Sequence, residues 1–246
     1  MVLTLHTTHS GNAADIGVYA AGVEALNAAG DNSDIRSVVV VGTGNTFSAG
    51  LDLQRWMDNR SALVKMQADR LDAFHLFIET LHTFPKPILA AVEGSAVGAG
   101  FSLALACDMI VAARDAVFSF PNGDVGLTPD GGATWHLARS LPRGTAIEIA
   151  LLGEEVAAER LHALGIVNRL SQPGSALHDA LLLTETLNAR APNVIAATKE
   201  LLAASPHASL TKHLGSERQQ LLESLEHANA GIGIDAYASK RRPLFN

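Results

Sequence analysis

The sequence predicts an α/β fold that ends in a purely helical part. Residues 37–41 and 88–92 are short, continuous apolar runs, typical of strands that are covered on both faces. Longer segments with apolar residues at helical spacing lie between such runs, and beyond about residue 170 only the helical pattern continues. We therefore predict an α/β core over residues 1–190 and a helical part over residues 191–246.

The remaining elements follow from the same patterns. Apolar runs predict further strands at residues 109–113 and 166–170. Helical spacing predicts helices over residues 15–29, 61–84 and 155–164, and a helical last third interrupted at Pro192, Pro206 and residues 231–233.

Composition limits the classes of function. The chain has 246 residues, of which 48% are hydrophobic, and this is enough for one sizeable core. A formal net charge of -7 argues against nucleic acid or an anionic membrane as a partner. The single Cys107 and the absence of a recognisable targeting segment predict a cytoplasmic protein. The histidines are scattered, so we expect no metal site.

Three glycine-rich segments can carry chemistry: residues 42–53, 93–102 and 121–132. The first two follow predicted strands, where small residues let backbone N–H groups approach a ligand. If these two loops are neighbours, each can direct one N–H group at the same carbonyl oxygen and stabilise negative charge there. The alternative is that these glycines only form turns and permit close packing.

Several motifs in order along the chain carry a resemblance to a known family. They occupy residues 47–53, 85–94, 98–108, 126–132 and 236–245. In these segments, and over nearly its whole length, the chain resembles the crotonase superfamily, also called the enoyl-CoA hydratase/isomerase family. The resemblance implies a spiral of ββα units with a helical C-terminal trimerisation part, and homotrimers or dimers of trimers. It also implies an acyl-CoA thioester substrate, with coenzyme A as part of the substrate and no other cofactor.

By position, the resemblance implies that the backbone N–H groups of Leu51 and Ala99 form the oxyanion hole. Neighbouring residues are then candidates for substrate contact: Ser48, Ala49 and Asp52. Asp52 can instead brace the loop. Lys240 could meet the phosphates of the coenzyme, or it could belong to a solvated charge cluster. The match is weakest at residues 10–14, where family members contact the coenzyme.

The two glutamates of family hydratases correspond here to Ser102 and Asn122. Neither side chain can act as a base near neutral pH, although both could line the substrate pocket. We therefore do not expect efficient hydration by the two-glutamate route.

Asp130 lies in a Pro-Asp-x-Gly turn similar to that of phenylacetate-degradation-type isomerases. The resemblance implies that this carboxyl is the single acid/base and moves a double bond from a 3-enoyl-CoA to a 2-enoyl-CoA position. Apolar neighbours such as Trp135, Phe101 and Leu127 are expected to raise its pKa, and Trp135 is also a candidate for substrate contact. The alternative is that Asp130 only caps the helix that follows.

Other functions stay open at this stage. One is an enoyl-CoA hydratase, by family membership, and another is a catalytically weak acyl-CoA-binding homologue. Asp124, near Asn122, could also face the acyl pocket. Outside the family, residues 100–104 suggest a serine hydrolase or thioesterase with Ser102 as nucleophile, but Ser102 is expected inside a helix. Residues 42–47 start like a dinucleotide-binding motif, but Phe47 stands where the third glycine is needed.

Overall fold

Parallel strands form the main sheet of the protein. The computed structural model describes residues 1–7, 10–13, 16–51 and 63–245. Its strands are β1 (Val2–Leu5), β2 (Val38–Gly42), β3 (Ile88–Val92), β4 (Ser95–Val97), β5 (Met109–Ala113), β6 (Val117–Ser119), β7 (Val156–Ala157) and β8 (Arg169–Ser171). Within the described ranges, the main sheet has the order β1-β2-β3-β5-β8 and is parallel throughout, and β4-β6-β7 form a smaller sheet.

Helices surround the two sheets. The described helices are α1 (Ile16–Asp31), α2 (Leu63–Thr83), α3 (Ala99–Ala106), α4 (Ala133–Ser140), α5 (Arg143–Leu152), α6 (Ala158–Ala163), α7 (Ala176–Asn188), α8 (Pro192–Ala204), α9 (Leu210–Glu226) and α10 (Ala228–Ala238). Short 3-10 turns occupy Ser10–Asn12, Pro121–Val125 and Ser205–His207. None of the helices in the described residues has the length and apolarity that a membrane span requires.

The main sheet is buried on both faces. On one face, Val38 and Val40 of β2 belong to the large core that includes Leu26 and Leu81 of α1 and α2. On the other face, Val39 and Val41 pack in a second cluster with residues of α7. Side chains alternate between the two faces of a strand, and both faces need apolar residues here. This explains why β2 and β3 are continuous apolar runs.

Most predicted elements of the core are confirmed, and the structure corrects some boundaries. The strands at residues 88–92 and 109–113 are found as predicted, and β2 is shifted by one residue. The strand predicted at residues 166–170 is β8, which starts only at Arg169. The predicted helix over residues 155–164 is shorter, because its first part pairs with β6 as strand β7.

The interruption predicted at Pro192 is confirmed: α7 ends at Asn188, and Pro192 occupies the first position of α8, where its missing N–H group costs nothing. The interruption predicted at Pro206 is also confirmed, by the 3-10 turn between α8 and α9. The interruption predicted at residues 231–233 is wrong. Residues 231–233 lie inside α10, since two glycines lower helix stability by only about 1 kcal/mol each. The predicted boundary between residues 190 and 191 falls between α7, which packs on the main sheet, and α8.

One carboxylate joins the end of β3 to the start of α7. Glu93 accepts hydrogen bonds from the backbone N–H groups of Gly174, at 3.0 Å, and Ala176, at 2.7 Å. These donors belong to the turn and the first residue of α7, so the negative charge also lies at the positive end of the helix. Glu93 thus fixes the position of α7 on the sheet.

We expect Glu93→Ala to destabilise the fold by about 1–3 kcal/mol, because two N–H groups then lose a charged acceptor. For a chain of this length, this loss lowers the melting temperature by roughly 2–4 °C per kcal/mol. Thermal denaturation at a fixed protein concentration measures it, with Glu93→Gln as the matched control that keeps one acceptor oxygen. An unchanged melting temperature in Glu93→Ala would contradict this role.

Candidate active site

The loops after β2 and β3 are neighbours, as the sequence predicts. Ser48 of the first loop donates its backbone N–H to the carbonyl of Ser95, at 3.2 Å. In return, the N–H of Val97 in β4 donates to the carbonyl of Ser48, at 2.9 Å. These two hydrogen bonds hold the end of the first loop beside the segment that leads into α3.

Ser48 itself braces the loop. Its side chain is 2% exposed, its hydroxyl donates to the carbonyl of Asn12 at 3.1 Å, and the hydroxyl oxygen accepts the N–H of Gly50 at 3.1 Å. This burial does not support the predicted substrate contact of Ser48. Ala49, by contrast, is exposed and lines a cavity. The predicted contact of Asp52 lies outside the described residues.

Gly50 brings the two predicted oxyanion donors together. Its φ angle is 78°, in the region that favours glycine. A Cβ atom at this position would lie 2.5 Å from the carbonyl oxygen of Val97 and 3.0 Å from the amide nitrogen of Ala99. Only a glycine permits this approach of backbone to backbone, and it places Leu51 next to the start of α3.

A cavity of about 150 Å³ opens at this meeting point. We call it the Ala99 cavity. It is lined on one side by Ala49, Leu51, Val97, Gly98 and Ala99, and on the other by Pro121, Asn122, Asp124, Val125 and Leu127. Ala99 is the first residue of α3, so its N–H group belongs to the end of the helix that has no intrahelical acceptor. The helix dipole favours negative charge at the same end.

Asn122 lines the Ala99 cavity, in agreement with its predicted location. Its Nδ2 group donates to the carbonyl of Thr128 at 3.1 Å. Its Oδ1 atom is buried and has no hydrogen-bond partner among the described residues. The amide can donate or accept a hydrogen bond here, but it cannot transfer a proton as a carboxyl would.

A second cavity, of about 140 Å³, contains Asp130. We call it the Asp130 cavity. Its lining residues are Tyr19, Leu51, Gln67, Arg70, Leu71, Phe74, Leu127, Thr128 and Asp130. Because Leu51 and Leu127 line both cavities, the two adjoin at these side chains. A ligand that occupies the Ala99 cavity can therefore extend towards the carboxyl of Asp130.

The main chain around Asp130 is fixed by α3 and α2. The hydroxyl of Ser102 donates to the backbone carbonyl of Asp130 at 2.8 Å. The next residue, Gly131, has a φ angle of 58°, and a Cβ atom there would overlap the ring of Phe74. Glycine is therefore needed for the turn that presents Asp130 to the cavity.

Helix capping is not the role of the Asp130 side chain. α4 begins at Ala133, and its N-cap residue is Gly132 in a left-handed conformation without a side-chain cap. Asp130 precedes this N-cap by two residues and contributes its main-chain carbonyl to the N–H of Ala133, at 3.2 Å. The capping alternative is therefore wrong, and the carboxylate is available to the cavity.

Burial in this cavity raises the pKa of the Asp130 carboxyl. The positive charges of His75 and Arg70 act in the opposite direction, and desolvation outweighs them. The raised pKa makes the ionised carboxylate a stronger base than an exposed aspartate.

The predicted apolar neighbours of Asp130 are only partly correct. Leu127 lines the cavity as expected. Trp135 does not line either cavity: it is 39% exposed, with the guanidinium of Arg139 3.9 Å from its ring centroid. Trp135 is turned away because it lies on the side of α4 that packs against His82. Its predicted substrate contact is therefore not supported.

Phe101 also lies away from the cavity. It is fully buried, and its ring stacks on that of Phe120 at a centroid distance of 4.7 Å. The apolar walls that desolvate Asp130 are instead contributed by Tyr19 of α1 and by Leu71 and Phe74 of α2.

Ser102 also differs from its predicted role. Ser102 is fully buried inside α3 and lines neither cavity, so it supports Asp130 instead of contacting a substrate. Its position within a helix also contradicts the nucleophile of a serine hydrolase. Lys240 is exposed just beyond the end of α10. Its contact with coenzyme phosphates stays a prediction.

The helix predicted over residues 61–84 is α2, and it forms one wall of the Asp130 cavity, although the sequence did not single out the residues that do so. Gln67, Arg70, Leu71 and Phe74 all face the Asp130 cavity, and their spacing of three, four and seven residues places them on one side of the helix. The sequence signal that could have identified them is the presence of two polar residues, Gln67 and Arg70, on the apolar face of this amphipathic helix. Among the described residues, no cluster of three or more metal-ligating side chains is found.

Comparisons with known proteins agree with this geometry. A family model described as enoyl-CoA hydratase/isomerase matches residues 1–246. The 2,3-dehydroadipyl-CoA hydratase of Escherichia coli (strain K12) is 33% identical over 247 residues, with 100% of this chain and 94% of the relative covered. The 1,2-epoxyphenylacetyl-CoA isomerase of the same organism is 30% identical over 246 residues, with the same coverage.

The fold is shared with solved structures. The crystal structure of an enoyl-CoA hydratase from Polaromonas sp. JS666 matches with a TM-score of 0.97 and 48% identity, covering 100% of this chain and 95% of that one. The parallel sheet, the helical C-terminal part and the adjoining cavities thus occur together with a full-length family match. The chain belongs to the enoyl-CoA hydratase/isomerase family and has the crotonase fold.

Proposed function

We propose that the protein is an enoyl-CoA isomerase that converts a 3-enoyl-CoA into the conjugated 2-enoyl-CoA, with Asp130 as its single acid/base. The observation that carries this proposal is the carboxyl of Asp130, half-buried and with a pKa raised by desolvation, in a cavity that adjoins the Ala99 cavity. The family includes proteins named as hydratases and as isomerases. The side chains of this site favour isomerisation.

The reaction begins with the thioester in the Ala99 cavity. Its carbonyl oxygen accepts hydrogen bonds from the N–H groups of Leu51 and Ala99. Asp130 removes a proton from C2 of the acyl chain, the electron pair of that C–H bond forms a double bond between C1 and C2, and the π electron pair of the carbonyl moves onto its oxygen, giving an enolate. Backbone donors of this kind stabilise such charge because they are already oriented when it develops.

The second half of the reaction returns the same proton. The enolate re-forms its carbonyl, the double bond moves from C3–C4 to C2–C3, and C4 takes the proton from the Asp130 carboxyl. No atom is gained or lost, so one carboxyl that shuttles a proton is sufficient. Ser102 donates a hydrogen bond to the main-chain carbonyl of Asp130. This hydrogen bond fixes the position of Asp130 relative to the acyl chain of the substrate.

Hydration is the second candidate, and one observation favours it. Asp124 lines the Ala99 cavity, so each of the two adjoining cavities contains one carboxylate, Asp124 or Asp130. Such a pair could activate a water molecule and protonate the acyl chain. The two family glutamate positions do not contribute, because Ser102 is engaged with Asp130 and Asn122 does not titrate.

We also propose that the protein forms homotrimers or dimers of trimers. Four leucines of α9 are exposed on one face of the helix: Leu210 (73%), Leu214 (53%), Leu221 (63%) and Leu225 (56%). An apolar face of this extent is typical of a protein–protein interface. Copies of the same chain are its proposed partners.

Replacement of Asp130 by Asn should abolish isomerisation. The amide has nearly the shape of the carboxyl but cannot accept the proton, and loss of a general base costs about 10²–10⁴-fold in rate. Formation of the conjugated thioester from a 3-enoyl-CoA is followed by ultraviolet absorbance. Asp124→Asn is the matched control and should retain the activity.

Two results would contradict this assignment. Equal rates in the wild type and Asp130→Asn would exclude Asp130 as the acid/base. Fast addition of water to a 2-enoyl-CoA, lost in Asp124→Asn, would establish the hydratase instead.

The pH dependence of the reaction should report the burial of Asp130. The carboxyl must be ionised to act as a base, so kcat/KM falls as the pH drops through its pKa. Since burial raises this pKa, the midpoint of the acid limb should lie above the value of about 3.9 of an ordinary aspartate. A pH profile of kcat/KM with a 3-enoyl-CoA measures it, and a midpoint at or below the ordinary value would contradict the desolvated site.

Light scattering should give a mass three or six times the chain mass of 25.8 kDa. Combined Leu221→Glu and Leu225→Glu substitutions place charges on the apolar face of α9 and should produce smaller species. Monomeric wild-type protein at micromolar concentration would rule out the proposed assembly.

A further inference from the structure

The segment that carries Asp130 belongs to no helix or strand. Residues 127–130 link the 3-10 turn Pro121–Val125 to the turn that precedes α4. Pro129 has no N–H group, and among the described residues no main-chain N–H of residues 128–130 donates to a main-chain carbonyl. Regular backbone hydrogen bonds therefore do not hold this segment, and its position depends on the side chains that bind it.

Two side chains bind this segment at points two residues apart. Nδ2 of Asn122 donates to the carbonyl of Thr128 at 3.1 Å, and the hydroxyl of Ser102 donates to the carbonyl of Asp130 at 2.8 Å. The main chain of Asn122 adds a third hydrogen bond, since its carbonyl accepts the N–H of Leu127 at 2.9 Å. Asn122 thus holds the start of the segment, and Ser102 holds its end.

Both side chains are themselves held in place. Ser102 is fully buried within α3, and Asn122 is only 8% exposed within the 3-10 turn. Packing restricts the rotamers of buried side chains, so their hydrogen bonds can fix a neighbouring segment. The two contacts therefore join the Asp130 segment to α3 on one side and to the 3-10 turn on the other.

Only the nitrogen of the Asn122 amide has a hydrogen-bond partner. Oδ1 is buried and has none among the described residues, which is unfavourable. An apolar side chain would avoid this penalty but could not donate to Thr128. A carboxylate only accepts hydrogen bonds, and one of its oxygens would face the carbonyl oxygen of Thr128. The N–H donor is therefore the contribution of the amide at this position.

We propose that Asn122 and Ser102 form a clamp on residues 128–130, and that Asn122 is a positioning residue for the Asp130 carboxyl. This inference rests on the proposed role of Asp130 as the single acid/base. Such a carboxyl must reach C2 and then C4 of one acyl chain, and a displacement of about 1 Å can cost roughly 100-fold in rate. By resemblance, both clamp residues occupy glutamate positions of family hydratases, and in this chain both hold the segment of the proposed base.

Kinetics with a 3-enoyl-CoA test the clamp. Asn122→Leu keeps the approximate size of the side chain but removes the donor, so kcat should fall about 10- to 100-fold. KM should change less than about threefold, because the clamp acts on the base and not on the binding of the substrate. The affinity for butanoyl-CoA, a saturated thioester that cannot isomerise, should change as little in calorimetry. At pH 8, Asn122→Asp should lower kcat to a similar extent, because its carboxylate cannot donate.

A variant that combines Asn122→Leu with Ser102→Ala shows whether the two side chains act as one unit. Losses from residues that hold the same segment do not multiply. The double variant should therefore be no more than about threefold slower than the slower single variant. Independent roles of the two residues would instead give the product of the two single losses.

The matched control is Asn168→Leu, which also removes a hydrogen bond between an asparagine side chain and the main chain. Oδ1 of Asn168 accepts the N–H of Ile110 at 2.7 Å, and Asn168 lines neither cavity. This variant should keep the kcat of the wild type, and it controls for a general loss of stability.

Several results would overturn the inference. One is a wild-type kcat in Asn122→Leu. Another is a loss confined to KM or to the affinity for butanoyl-CoA, because Asn122 lines the Ala99 cavity and would then act on the ligand. Losses that multiply in the double variant, or an equal loss of kcat in Asn168→Leu, would also overturn it.

Hydrogen exchange measured by mass spectrometry separates the clamp from the proposed reaction. In Asn122→Leu, the amides of residues 127–130 should exchange faster than in the wild type, whereas Asn168→Leu should leave them unchanged. If Asp130→Asn isomerises as fast as the wild type, the proposed function fails, and faster exchange in Asn122→Leu still supports the clamp. Unchanged exchange in Asn122→Leu would overturn the clamp, whatever the reaction.

Discussion

The close backbone contact between Gly50 and the start of α3 is the constraint on which the site depends. The space between Gly50, the carbonyl of Val97 and the amide of Ala99 is too small for a Cβ atom. Ser48 maintains this contact: its backbone is hydrogen-bonded to Ser95 and Val97, and its hydroxyl to the backbone of Asn12 and Gly50. Because the proposed donors are main-chain groups of two braced segments, their direction does not depend on side-chain rotamers, and such preorganisation would stabilise an enolate.

α3 links the two halves of the site. Its first residue, Ala99, lies in one cavity, and Ser102, three residues later, holds the main chain of Asp130 beside the other. An α-helix rises about 1.5 Å per residue, so less than one turn of rigid helix sets the separation of the proposed oxyanion hole and the Asp130 segment. By resemblance, Ser102 stands where family hydratases have a glutamate, and in the proposed mechanism this position supports the base instead of acting as one.

The reaction of a family member follows from the side chains around a common enolate site, not from the fold. In the proposed reaction, the amide of Asn122 and the buried hydroxyl of Ser102 leave proton transfer to carboxylates supplied by other positions. Asp130 is the better placed of these, because apolar walls from α1 and α2 raise its pKa. The same walls carry Arg70, whose positive charge opposes part of this rise.

The sequence by itself determined the fold class and the central strands, since these follow from continuous apolar runs, and it predicted the two N–H donors and Asp130 from motifs within a few residues of each other. Only the tertiary structure decided what surrounds Asp130. Trp135 is close to it in sequence but turns away, whereas Tyr19 and Arg70, at least 60 residues distant along the chain, line its cavity. The reason is physical: local spacing fixes which side of a helix a residue occupies, but the packing of one helix against another fixes what that side faces.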